Sequence, residues 1–375
     1  MLTPFDDYPI HQTPLPVAHP VSGDRNFYDR YFFNGYDPDG EWFIGCTMGV
    51  YPNRDVIDAS FSVLRDGVQR SVFASARLPA DRATTSVGPF TLEVVSPLKT
   101  TRLHVAAEHL GIEADLTWDA RTMALEEPRQ TLVAGPAAIM DATRLVQWGT
   151  WHGSVAVEGS RFDVDRSRAR GTKDRSWGIR PIGEPPGGAP PVSGGPVGVF
   201  FLWAPIHFQD RCTHAILFER ADGERWYWSG GEVPLLGEGE QPWGSESSVR
   251  RPRGVEYHLD MKPGTRRSRG ATFEYDYRDG GKELLEFTPI MDFQMKGLGY
   301  LNLEWGHGTW HGETAEGSQS WKVDELDPLA WDNVHVEQLC RVRSGDREGV
   351  GVLEQLTIGP HAPTGLKGYD DGAPG

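Results

Sequence analysis

The chain has 375 residues, with 53 acidic and 37 basic side chains and a formal net charge of −16 at pH 7. That balance excludes sequence-independent binding to nucleic acid, which needs a surplus of Lys and Arg against phosphate, and docking on an anionic membrane surface. The 45 Gly and 28 Pro follow no collagen period, and 13 Trp exclude a disordered chain.

The N-terminus, Met1-Leu2-Thr3-Pro4-Phe5-Asp6-Asp7, has no basic or apolar leader, and no window approaches a membrane-spanning length of apolar residues. A cytoplasmic protein with no membrane span is the expectation. Residues 1–40 are rich in Pro and aromatics, ending in Phe27-Tyr28-Asp29-Arg30-Tyr31-Phe32-Phe33, and read as an extended arm packed on the body. Residues 41–182 read as a first β-domain. Trp42–Thr47, Ala59–Leu64 and Ser71–Ala74 alternate apolar with polar, and the turn Arg65-Asp66-Gly67 marks an antiparallel hairpin. One short helix is expected around Ala134–Val146. Residues 183–196 are almost all Gly and Pro and form the linker. Residues 197–362 repeat the strand theme in Gly198–Trp203, Ala215–Glu219, Trp226–Ser229 and Thr272–Tyr277, with a turn at Ala221-Asp222-Gly223. Residues 363–375 are expected to be a disordered tail.

Short matches recur at nearly one offset. Thr150-Trp151-His152-Gly153 returns as Thr309-Trp310-His311-Gly312, a separation of 309 − 150 = 159. Glu158-Gly159-Ser160 returns as Glu316-Gly317-Ser318, Val164-Asp165 as Val323-Asp324, and the hairpin before Asp66-Gly67 as that before Asp222-Gly223. A period this long is far beyond a solenoid unit and matches one β-domain. The chain therefore reads as all-β, two tandem antiparallel domains from an internal duplication.

At Gly171-Thr172-Lys173-Asp174-Arg175-Ser176-Trp177-Gly178-Ile179-Arg180 the sequence resembles the lipocalin-like, or calycin-like, two-domain family of carotenoid 1,2-hydratase (hydroxyneurosporene synthase) and AttH-like proteins. The family signature is a Gly, a short spacer, then His-Asp-His-Asn-Trp-Gly. Asp174, Trp177 and Gly178 match it; Lys173 and Arg175 stand for its two His, and Ser176 for its Asn. Asp6-Asp7-Tyr8-Pro9-Ile10-His11 with Tyr28-Asp29-Arg30-Tyr31 is similar to a bacterial subgroup of that family. The resemblance implies two packed lipocalin-like β-barrels, a hydrophobic small-molecule ligand, and no cofactor or metal. It also implies hydration, dehydration or cyclisation of an isoprenoid- or terpenoid-like alkene, the chemistry of a lyase or an isomerase.

Protonating an alkene needs a strong general acid and a stabiliser for the resulting cation. A carboxyl group raised in pKa by a dry pocket supplies the first, and aromatic faces supply the second. Asp174 beside Trp177 offers both, so Asp174 is the candidate catalytic acid; a buried Asp–Arg anchor is the other reading of the same residue. Lys173 and Arg175 should point to the strand face opposite Asp174. Candidate ligand-binding residues are Trp177, Arg175, Trp151, His152, Trp310, His311 and His207. In each Trp-His pair the neighbours should face opposite sides of a strand, and their duplication also suits a purely structural role. His207 with Asp210 is a possible acid–base couple or part of a solvated loop. His307 and His311 have a spacing compatible with a metal pair but lack an evident third ligand. Arg250-Arg251-Pro252-Arg253 and Arg266-Arg267-Ser268-Arg269 are either solvated turns or an anion site. Cys46, Cys212 and Cys340, far apart and odd in number, read as small buried hydrophobes. The functional expectation is an enzyme on a hydrophobic ligand. The alternatives are a non-catalytic carrier of such a ligand or an interaction scaffold, and the oligomeric state is left open.

Overall fold

The computed structural model describes residues 1–134, 137–182 and 198–375. The expected linker lies outside them. The first half supplies β1 (Phe27–Tyr36), β2 (Trp42–Tyr51), β3 (Val56–Arg65), β4 (Val68–Arg77), β5 (Ser86–Val87), β6 (Phe90–Ser96), β7 (Thr100–Ala107), β8 (Ile112–Ala120), β9 (Leu125–Glu126), β10 (Gln130–Ala134), β11 (Ala137–Val157), β12 (Ser160–Val164) and β13 (Arg170–Ile179). The second supplies β14 (Val199–Trp203), β15 (Ile206–His207), β16 (Arg211–Glu219), β17 (Arg225–Pro234), β18 (Pro252–Met261), β19 (Ser268–Tyr277), β20 (Lys282–Gln294), β21 (Thr314–Lys322), β22 (His335–Ser344) and β23 (Arg347–Ile358). Among the described residues the only helical pieces are short 3₁₀ turns.

The strands form two curled antiparallel sheets, each a half-barrel. One runs β21-β4-β3-β2-β1-β13-β11-β8-β7-β6-β5; in the other, β17 pairs with β16, β14 and β15 each sit between β16 and β23, and β22-β20-β19-β18 follow. The kinship of the halves lies in this order. In each, the first strand pairs with the last, β1 with β13 and β14 with β23. The recurring sequence matches, by contrast, do not occupy equivalent places. Thr150–Gly153 lies within β11, whereas Thr309–Gly312 lies in a loop before β21. Strand β21 comes from the second half of the chain but pairs along β4 of the first sheet, Val72 opposite Ser318.

The hairpin at Asp66-Gly67 forms as read. Both residues have positive φ, 51° and 73°, and Arg65 pairs with Val68 across a two-residue loop. Three expectations need correction. The segment read as a helix is, among the described residues, the end of β10 and the first part of β11, because pairing with β13 on one edge and with β10 and β9 on the other overrides its local composition. Residues 27–36, read as part of an arm, are the strand β1 inside the sheet, paired on both edges. The tail read as disordered folds back on the second sheet. Arg266, buried, donates to the carbonyls of Gly359 (3.0 Å) and Gly368 (2.8 Å) and to the Asp371 carboxylate (2.7 Å), and Ala373 is buried.

Among the described residues three large apolar cores result, with a small fourth cluster of Tyr28, Tyr51, Val56, Ala142 and Ile182. One fills the first half-barrel around Phe33, Phe61, Trp118 and Trp151; another fills the second around Phe200, Leu217, Phe273 and Phe287. The third joins the halves: Phe32, Tyr36, Phe43 and Trp148 pack on Trp203, Ile216, Phe293 and Leu339. Since side chains fill each half-barrel, the chemistry-bearing groups collect at the junction.

Candidate functional site

Strand alternation decides what faces the junction. On β13, Lys173 and Arg175 do point away from it, as expected: the Lys173 ammonium lies 5.3 Å over the Trp118 ring, and Arg175 stacks 3.7 Å over Tyr31 and donates to Asp29 at 2.6 Å. Burial, and then the charge of Arg175, push Lys173 down to about 8. Asp174 points into the junction, with apolar Phe32 and Val146 directly opposite it on β1 and β11. It is 8% exposed. The Arg144 Nε lies 4.0 Å from its Oδ2, too far for a hydrogen bond, and that oxygen has no other partner. Burial dominates and pushes the Asp174 carboxyl up to about 6; Arg144 opposes the shift and Glu127 adds to it.

Arg144 bridges Asp174 to a second carboxyl. Its Nε is 3.9 Å from Oε2 of Glu127, which is wholly buried between β9 and β10. The Glu127 Oε1 lies 3.0 Å from His214 Nε2 on β16, and Tyr227 Oη on β17 donates to Oε2 at 3.1 Å. Burial works against the Glu127 charge, but His214, Arg144 and Tyr227 outweigh it and hold the group below the usual carboxylate range. The site thus contains two carboxyls driven in opposite directions, the pattern of an acid paired with a base. Trp148 and Trp203 flank His214 at ring separations of 6.1 and 6.3 Å, and neither indole N–H has a partner. Beside Glu127 an open groove of about 500 Å³ is lined also by Arg129, Trp228, Glu246 and Arg251.

Further along the junction Arg30, 2% exposed, donates through Nη1 to His307 Nδ1 at 2.8 Å and through Nη2 to Tyr300 Oη at 3.0 Å. A guanidinium only donates, so Nδ1 accepts and Nε2–H donates to the Leu298 carbonyl at 2.7 Å. Burial, then Arg30 and Arg180, hold His307 well below the usual imidazole range and hence neutral. On the facing sheet His335 Nε2 is 2.6 Å from Glu354, and Asn34 Nδ2 donates to Glu337 at 3.1 Å. Burial and the adjacent Glu354 push Glu337 well above the usual carboxylate range.

The other sequence candidates are dispersed. Trp177, three residues beyond Asp174, faces the opposite side of β13 and is 38% exposed. Trp151 lies in the first core, its Nε1 donating to the Asn34 carbonyl at 2.9 Å and its ring filling the space above Gly35 and Gly171. His152 points outward, 3.4 Å from Asp119. Trp310 is 45% exposed beneath Arg77, and His311 stacks on Trp305 at 4.3 Å. His311 and His307 line a cleft with Asp58 that has about 10 Å³ of free space, the room of one water. His207 is buried at the junction, but both its nitrogens are engaged: Arg121 donates to Nδ1 at 2.8 Å, and Nε2–H donates to the Gly171 carbonyl at 3.1 Å. Asp210 instead pairs with Arg211 and Arg347. The arginines of the two basic clusters have carboxylates of their own: Asp279, Glu246 and Asp276 in the first, Asp371, Asp292 and Asp260 in the second. Glu127, Arg144, Tyr227, Trp148 and Trp203 carried no local sequence signal, because the register of distant strands brings them together; Arg30 stood out only within Tyr28–Tyr31 and with no role assigned.

Comparison with known proteins bears on the fold. A crystal structure assigned to AttH, from Nitrosomonas europaea, aligns with a TM-score of 0.54 at 12% identity over 93% of this chain and 98% of that one. Kievitone hydratase from Nectria haematococca aligns at 0.50 and 12% identity over 88% of each chain. These neighbours share the lipocalin-like AttH and carotenoid-hydratase architecture to which the Gly171–Arg180 segment pointed. No curated protein matches in sequence. A family of unknown function matches over residues 2–367.

Proposed function

We propose that this chain, which belongs to a family of unknown function (DUF8625), is an acid–base catalyst acting on an apolar small molecule at the junction of its half-barrels. The reaction class is addition or removal of water at an alkene, or ring closure through it. One observation carries the reading: Asp174 Oδ2 is buried without a hydrogen-bond partner among apolar groups, on the same Arg144 guanidinium as an ionised Glu127. A carboxyl held up to about 6 retains its proton far better than an ordinary Asp.

In hydration, Asp174 gives its proton to one alkene carbon and the π pair forms the new C–H bond. The cation left on the other carbon is stabilised by the faces of Trp148 and Trp203. Water adds to it and loses a proton to the Glu127–His214 pair, and solvent exchange returns a proton to Asp174. Dehydration runs these steps backward, and cyclisation replaces water by a nucleophile within the ligand. The name of kievitone hydratase is consistent with such chemistry on this architecture.

The test is native mass spectrometry of the purified protein to identify a co-purified ligand, followed by incubation of that compound in H₂¹⁸O. Incorporation of one heavy oxygen, or isomerisation without it, that is lost in Asp174→Asn with the fold retained supports the reading. Unaltered ligand bound equally by both proteins makes the chain a carrier. Undiminished turnover by Asp174→Asn removes Asp174 as the acid.

A further inference from the structure

We infer that the junction holds a carboxylate carried by the ligand, gripped by Arg30 and Arg180 with Arg144 beside them, so that the substrate is an apolar acid rather than a neutral hydrocarbon. This rests on the reading of the junction as a ligand site, but not on the role of Asp174.

Arg180 follows the end of β13. Among the described residues it makes no side-chain hydrogen bond and no ion pair; its guanidinium carbon lies 5.4 Å from the Tyr28 ring and 5.7 Å from the Tyr300 ring. Arg30 approaches the same two rings, at 5.7 and 4.8 Å, and its hydrogen bonds go only to neutral His307 and Tyr300. Two guanidiniums therefore share one aromatic platform, and among the described residues neither has a carboxylate within 4.0 Å. Such groups stay protonated in proteins. Burial, and then the like charge of Arg30, lower Arg180.

The nearby carboxyls are committed elsewhere. Glu127 is held by His214 and Tyr227, Glu354 by His335, and Glu337 by Asn34. Asp174 lies at the contact limit of Arg144, and Asp58, the other carboxyl that Arg30 feels, accepts from Tyr51 Oη at 3.2 Å and from the Gly308 N–H at 2.7 Å. Arg30 is buried without a counter-charge, which is costly, and Arg180 is half-buried beside it with no hydrogen-bonded partner among the described residues; a planar carboxylate matches the guanidinium fork in two parallel hydrogen bonds.

The aromatic path from this platform sets the ligand's direction. Phe32 is edge-on to Tyr300 at 6.4 Å and to Trp203 at 6.0 Å, and it sits directly opposite Asp174 in the sheet. A ligand with its carboxylate at Tyr28 and Tyr300 would reach toward the Asp174 carboxyl past Phe32 and Trp203, which are buried in the core joining the halves and must part to admit it.

Isothermal titration of the full-length protein with 2-naphthoate and with uncharged 2-naphthamide tests this. The expected result is at least tenfold tighter binding of the carboxylate, with that preference abolished in Arg180→Met and Arg30→Met and retained in Asp174→Asn. Thermal unfolding without ligand provides the folding control: Arg180→Met should unfold no earlier than the native protein, since no ion pair is lost. Equal affinity for the two probes, no binding of 2-naphthoate at millimolar concentration, or a carboxylate preference that survives in Arg180→Met overturns the inference. Loss of turnover in Asp174→Asn together with equal probe affinity would leave the acid standing and remove the carboxylate receptor.

Discussion

Asp174→Asn separates a catalytic acid from a structural anchor through stability alone, before any substrate is known. Asn has the shape of the protonated carboxyl but cannot ionise. In the folded protein Asp174 titrates near 6, against an ordinary value of 3.8. Its folded value is raised, so its contribution is fully present below the unfolded value and is lost as pH rises through the folded one. The gap corresponds to about 3 kcal/mol between the two ends of that window. Urea unfolding near pH 4 should therefore find the variant and the native protein nearly equal. Near pH 8 the variant should be more stable by up to about 3 kcal/mol, with the crossover between 3.8 and about 6. If Asn instead lowers stability near pH 8, Asp174 is an ionised anchor for Arg144 and the proton-donor reasoning fails.

Arg144→Met removes the one cation shared by Asp174 and Glu127, leaving Glu127 ionised and wholly buried; urea titration at neutral pH should show a loss of about 3–5 kcal/mol. Gly171→Ala places a methyl group 2.3 Å from the Asn34 carbonyl oxygen and 2.5 Å from Trp151 Nε1. It should cost about 1–3 kcal/mol and alter the tryptophan emission spectrum. Cys46, Cys212 and Cys340 are buried, and burial raises all three thiols, Cys212 to about 12. A chromogenic disulfide reagent should leave them unmodified in the native state and titrate all of them in denaturant.

The strands were legible because their signals are local. Trp42–Thr47 and Ala59–Leu64 alternate, and Asp66-Gly67 supplies the two positive φ values that a tight hairpin needs. The start of β11 was misread because no exposed polar face marks it: from Ala138 to Val146 every residue is buried or half-buried, Thr143 and Arg144 included. Asp174 was legible from its signature, and so was the outward turn of Lys173 and Arg175. Trp177 was misassigned although the signal was present, since an odd step of three along a strand turns it to the face opposite Asp174. Glu127, inside Glu126-Glu127-Pro128-Arg129, has the look of a solvated charge run, yet it is buried because His214, 87 residues away by 214 − 127, reaches it from the other sheet. Such pairing is fixed by how two curved surfaces meet, which a linear pattern does not encode.

The crossing of β21 onto β4 has a consequence for how the chain is made. At a ribosome the first sheet exposes an unfilled β4 edge until residues 314–322 emerge, well after the first half is complete. Closing that edge is a contact of very long sequence separation, so it comes late and slowly. Neither half can then be cut out and studied as an autonomous piece: a fragment ending before Thr314 keeps an open template for self-association, and a fragment beginning after β13 carries a strand with nothing to join. The two halves are tied into a single folding unit by a clasp of nine residues.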